Sequence, residues 1–100
     1  MKEDLLKIIN HYGVRHQQKK LNEEVFELQE AIRDYEEDYI KVDCNEEWVL
    51  PFIKEHLTEE LADVMVLIEQ IKLYYDISSE EVTKIFWSKV DRQLDRMSKE

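Results

Sequence analysis

Two runs of apolar residues carry the same spacing. Leu21, Val25, Leu28, Ile32, Tyr35 and Tyr39 follow one another at 4, 3, 4, 3 and 4 residues, and so do Leu57, Leu61, Val64, Ile68, Ile71 and Tyr75. A strand alternates every two residues, whereas a spacing that averages about 3.6 holds one stripe on one face of an α-helix. The chain is therefore committed to two long amphipathic helices before any other feature is considered. One glycine, Gly13, and one proline, Pro51, are too few for the tight turns of an all-β fold.

The remaining elements follow from apolar spacing and stop signals. A first helix is predicted over Lys2 to Tyr12, with Leu5, Ile8, Ile9 and Tyr12 on one face and Gly13 as its stop. The second runs from near His16 to about Tyr39. Ile40 to Leu50 is the least regular stretch, where Asp43 or Asn45 would cap a short turn. The third starts at Pro51 or Phe52, because proline suits a first helical turn, and reaches Tyr75. The fourth starts at Ser78, where Ser78-Ser79-Glu80-Glu81 reads as a capping box, and continues to about Met97. The short Asp76-Ile77 connection predicts that helices three and four are antiparallel neighbours. The expected fold class is all-α, a four-helix bundle over residues 1–100 as one domain. A core this small is expected to be completed by oligomerisation.

Charge narrows the partners. The net charge of −10 argues against a nucleic acid polymer, whose phosphates need clustered Lys and Arg. A nucleotide remains open, since a metal held on carboxylates can bridge its phosphates. One cysteine, Cys44, forms no internal disulfide, and no neighbouring histidine or basic cluster marks it as a nucleophile. No signal peptide and no run of about 18 apolar residues is visible, so the expectation is a cytoplasmic protein off the membrane.

Set on a 100° wheel from Leu21, Glu24 falls at about 300° and Glu27 at about 240°. Counted from Leu57, Glu60 and Asp63 fall at the same two angles, and Ala31 and Leu67 lie between the acids at about 280°. Glu23, Glu30 and Glu59 point further out, as solvated surface. Two carboxylates on each of two packed helices can converge on a hard cation. Without one they repel each other. A solvated acidic face is the competing reading, because 24 acids in 100 residues give some i, i+3 pairs by chance. A di-iron carboxylate bundle would use Glu-x-x-His pairs, and none of His11, His16 or His56 has an acid three residues before it.

On the fourth helix the apolar face of Val82, Ile85, Phe86 and Val90 gives way to Lys89, Arg92, Gln93 and Arg96 at i, i+3, i+4, i+7. These side chains could lie over the end of the bundle, pair with acids, complement the helix dipole, or contact phosphates. Trp48, Trp87, Tyr12 and Phe26 are the aromatics available to stack on a base, although aromatics in small bundles are more often core or interface.

Glu24-x-x-Glu27 within EEVFELQEAI, Glu60-x-x-Asp63 within EELADVMVLI, and the tail KVDRQLDRM together resemble the MazG-like all-α nucleoside triphosphate pyrophosphohydrolases, in their small single-domain form. The resemblance covers most of the chain. It implies the fold of that family and hydrolysis of a nucleoside triphosphate, NTP or dNTP, to the monophosphate and pyrophosphate. It implies Mg²⁺ as cofactor, with Mn²⁺ as a substitute, and a homodimer or homotetramer. Carried over by position, Glu24, Glu27, Glu60 and Asp63 would hold the metal, and Glu27 would orient or deprotonate the attacking water. Lys89 and Arg96 would contact phosphates. Gln93 stands where relatives often have Asn, and the 32 residues between Glu27 and Glu60 are more than usual. The alternative is a bundle of the same kind that binds a nucleotide or a partner without turnover.

Overall fold

The computed structural model describes the backbone of residues 1–41 and 49–100, and side chains outside 38–50. Asp43, Cys44, Asn45 and Trp48 lie outside the described residues. The fold is all-α: α1 (Lys2–Tyr12), α2 (Val14–Lys41), α3 (Val49–Tyr74) and α4 (Ser79–Ser98), with no strand among the described residues. α2 extends two residues past each expected end, whereas α3 starts earlier than expected, at Val49, and stops one residue before Tyr75; Pro51 lies in the first turn of α3, where no helical hydrogen bond needs its missing N–H.

Local chemistry sets each boundary. Glu3 and Asp4 in the first turn of α1 and His11 in its last complement the helix dipole. Gly13 closes α1 at φ 89° and ψ 148°, donating its N–H to Ile9 O at 2.8 Å. That backbone region is costly for any residue with a Cβ, and α2 begins at the next residue. At the end of α3 the Ile77 N–H reaches Lys72 O and the Asp76 N–H reaches Leu73 O, with Asp76 at φ 54°. This pair of bonds is a Schellman motif. Ser78 follows as N-cap: its Oγ accepts from the Glu81 N–H at 3.1 Å, and the Ser78 N–H donates to Glu81 Oε2 at 2.7 Å. The capping box expected at Ser78 is present. Those bonds to Ser78 hold the Glu81 carboxyl below its ordinary pKa.

α1, α2 and α3 make the packed body. α2 lies along α3, and α1 rests on α3 with a smaller contact to α2. Ile9 of α1 is wholly buried, with Ala31 and Leu67 as the other buried apolar residues among those described. Three polar side chains share that interior: Gln17, Glu24 and Gln70. Gln17 donates through Nε2 to Gln70 Oε1 at 2.9 Å, a buried bond that ties α2 to α3.

Two expectations change here. The leucine stripes do not form the most buried line. Val25, Ile32, Leu61 and Ile68 are exposed, while Gln17, Glu24 and Ala31, seven residues apart, run down the seam. Small Ala31 allows close approach at that angle, and among the described residues Val25, Ile32, Leu61 and Ile68 stay on the open side of the stripes. The second change concerns α4, which is not an antiparallel neighbour of α3. It has no buried residue, and Ile85, Phe86, Trp87, Leu94 and Met97 are all exposed. The Schellman motif and the capping box, back to back across Asp76–Ser78, turn the chain away from the body instead of folding it back. Lys72 braces that turn, donating to Glu69 Oε1 at 2.8 Å and to Ser79 Oγ at 3.0 Å. The radius of gyration is 17.6 Å, against about 13 Å for a compact chain of this length.

Candidate metal centre

α2 and α3 position the acids. Glu24 and Glu27 sit one turn apart on α2, and Glu60 and Asp63 one turn apart on α3. Where the seam closes, one carboxylate oxygen from each of Glu24, Glu60 and Asp63 lies within 4.8 Å of the other two. Glu24 is the most buried, 7% exposed. Its Oε1 accepts from Lys20 Nζ at 3.2 Å, while Glu24 Oε2 and Glu60 Oε2 are buried with no hydrogen-bond partner. A buried carboxylate oxygen without a partner is costly, because the desolvation of its charge is not offset. The two belong to facing helices, in residues of the group of three acids that converges.

Glu27 stands at the edge of this group. It is exposed and is not among the three converging carboxylates. Its pKa is nonetheless raised, first by a hydrogen bond shared with Glu24, then by the charge of Glu24, with a contribution from Glu60. Like charges so close favour keeping a proton on one of them. Thus three of the four expected acids converge and the fourth is electrostatically joined to them.

The donor set can be tested against candidate ions. All donors are carboxylate oxygens, which suit a hard cation over zinc or copper. Two ligands on one ion can be at most about 4.2 Å apart for Mg²⁺ and about 5 Å for Ca²⁺, twice the metal–oxygen distance. A largest spacing of 4.8 Å lies within the span of two opposed Ca²⁺ ligands, and Mg²⁺ or Mn²⁺ would need the carboxylates to close in further. The residues fit the group.

Beside the acids lies a cavity of about 490 Å³, lined by Tyr12, His16, Gln17, Lys20, Glu23, Glu24, Asp63, Val66 and Leu67. That size suits a small organic ligand. Tyr12 and His16 stack with ring centroids 5.1 Å apart and planes 18° from parallel, and His16 Nδ1 is 2.8 Å from Gln17 Oε1. His16, Gln17 and Lys20 were not singled out in the sequence as site residues. Their signal was the i−8, i−7 and i−4 spacing from Glu24, which places them on the face that meets the cavity. His16 contributes an aromatic wall and no metal-ligand geometry.

The four α4 residues expected at phosphates do stand together. Lys89, Arg92, Gln93 and Arg96 line a groove of about 160 Å³ on α4 itself. None of them lines the cavity beside the acids in this protomer. No helix among the described residues is long and apolar enough to cross a membrane. Compared with models of protein families, with curated proteins and with solved structures, the chain matches none.

Proposed function

We propose that this protein is a Mg²⁺-dependent nucleoside triphosphate pyrophosphohydrolase, acting on an NTP or dNTP in the cytoplasm to release the monophosphate and pyrophosphate. The observation that carries the reading is the convergence of Glu24, Glu60 and Asp63, two of them with orphaned buried oxygens, at the wall of a ligand-sized cavity. A divalent cation at this point would neutralise a triphosphate and polarise its phosphorus. Glu24, Glu60 and Asp63 would hold that ion. Glu27, next to Glu24 and already biased toward holding a proton, would orient a water or accept its proton. The paired rings of Tyr12 and His16 offer a flat wall for a base.

The phosphate-contact role of Lys89, Arg92, Gln93 and Arg96 is proposed as one made across an interface. A compact chain of 12.2 kDa exposes about 6,100 Å², and this one exposes 8604 Å². The excess, about 2,500 Å², is several times the roughly 800 Å² that each partner contributes to a stable complex. A homodimer or homotetramer would cover α4 and carry its cations toward the acids of another copy.

The test is a panel of common and modified nucleoside triphosphates with Mg²⁺, following monophosphate and pyrophosphate together. Equimolar release of both that stops on chelation supports the reading. Nucleotide-dependent stabilisation with no product from any substrate would replace it with binding without turnover, a reading favoured by Lys89, Arg92, Gln93 and Arg96 lining a separate groove and not the cavity.

A further inference from the structure

Lys20 has no role in the reading above, yet it holds the most consequential contact in the site. It lies one turn before Glu24 on α2, with Nζ 3.2 Å from Glu24 Oε1 and 3.8 Å from Glu23 Oε2. Among the described residues it is the one Lys or Arg lining the cavity. An i, i+4 ion pair on an ordinary helix surface contributes little. Here the acceptor is a buried carboxylate that is also the central candidate ligand for a divalent cation. Ammonium and metal ion therefore compete for the same group.

Lys20 sits on Oε1 and leaves Oε2 open, so an ion can enter at Oε2, but the ammonium one carboxylate away weakens its hold. An ion within about 2.1 Å of a Glu24 oxygen would share one carboxylate with an ammonium 3.2 Å from it, and like charges that close repel strongly. Lys20 can leave easily. Its side chain is 47% exposed, and a four-carbon stem swings its three donors by rotamer change alone. Glu23 is already near and exposed, so it offers only a weak alternative. The strongest anion that could enter the open cavity is a phosphate chain.

We propose that Lys20 is an exchangeable counter-ion. It neutralises Glu24 in the empty site, yields Glu24 to the divalent cation, and turns its ammonium onto the phosphates of the ligand in the cavity. This rests on the metal reading of the same site. It supplies a phosphate-binding residue from within the protomer, distinct from the cations of α4.

The experiment uses K20M, which keeps the stem and removes the charge, and K20R, which keeps the charge. Two titrations are run on the full chain: Mn²⁺ alone, and inorganic triphosphate at saturating Mg²⁺. K20M should bind Mn²⁺ about two- to fivefold more tightly than the parent, the size of one surface ion pair removed from competition. It should bind triphosphate about tenfold or more weakly, the size of a lost charge-assisted hydrogen bond. K20R should stay within about twofold of the parent for Mn²⁺ and recover most of the triphosphate affinity. Unchanged or weakened Mn²⁺ binding in K20M, or unchanged triphosphate binding, overturns the proposal, because a merely structural pair would move neither in these opposite directions. If the parent chain binds Mn²⁺ but the variants match it, only the exchange fails. If the parent binds no divalent cation, the metal reading fails and the exchange with it.

Discussion

Along the α2–α3 seam the chain buries Glu24, Gln17 and Gln70; along α4 it leaves Ile85, Phe86, Trp87, Leu94 and Met97 exposed. A chain folding only for its own stability would do the reverse, since apolar burial is the main favourable term and buried charge is costly. The contrast teaches that the two regions are left incomplete in different ways. The seam is held short of full satisfaction by carboxylate oxygens that a cation would complete. α4 leaves the body at a turn fixed by its own hydrogen bonds, and its large apolar side chains stay exposed.

The largest test of this contrast is Glu60→Ala. It removes one orphaned carboxylate of the seam without touching α4. Pyrophosphate release should fall by at least about 100-fold, because even groups that only orient metal ligands cost 10–100-fold when removed. Full activity in this variant would mean that the acids are not the site. The matching break in α4 is the pair Ile85→Asp and Phe86→Asp. Light scattering should give a mass of at least twice 12.2 kDa for the parent chain and 12.2 kDa for the double variant. A parent chain that is already monomeric would remove the interface from the argument and leave the exposed face of α4 unexplained.

Metal and pH sharpen the seam alone. Mg²⁺ at about 100 times its Kd should stabilise the chain by about 2.7 kcal/mol, and much less in Glu60→Gln. Glu27 gives the sign of the pH effect. Its carboxyl pKa in the folded chain lies above the unfolded value because of Glu24 and then Glu60. Its contribution is thus fully present below the unfolded pKa and is lost as pH rises through the folded one. Without metal, the melting temperature should fall across that window. Glu27→Gln should flatten the fall, and Mg²⁺ should do so in the parent chain. A melting temperature that rises steadily with pH through that window in metal-free protein would contradict the assigned coupling. The smallest effect belongs to the turn. Ser78→Ala should cost about 1 kcal/mol of helix stability, read as faster amide exchange in the first turn of α4 and little change in the seam.

Much of the arrangement was legible beforehand. The 4, 3, 4, 3, 4 spacing located α2 and α3 to within a residue or two, because helical periodicity is a property of the chain alone. Ser78 and Glu81 announced the start of α4 for the same reason: a cap is a contact between residues three apart. The wheel also set Glu24 with Glu60, and Glu27 with Asp63, at matching angles, and Glu24, Glu60 and Asp63 converge. Gln17 and Lys20 were harder to see, since a glutamine and a lysine one or two turns from an acid look like ordinary helix surface. Only the approach of α3 turns that surface into the wall of a cavity.

The sequence by itself determined the helices, their caps and the phase that sets two acidic pairs at one angle, because each of these depends on residues within a turn or two of one another. The tertiary structure alone decided which stripe is buried, that Glu27 stands beside the converging acids and not among them, and that α4 departs from α3. Those outcomes depend on interhelical distance, on the small side chain at Ala31, and on the direction in which Asp76–Ser78 releases the chain. Periodicity records which residues share a face. It does not record how close that face comes to another helix, nor which neighbour will cover it.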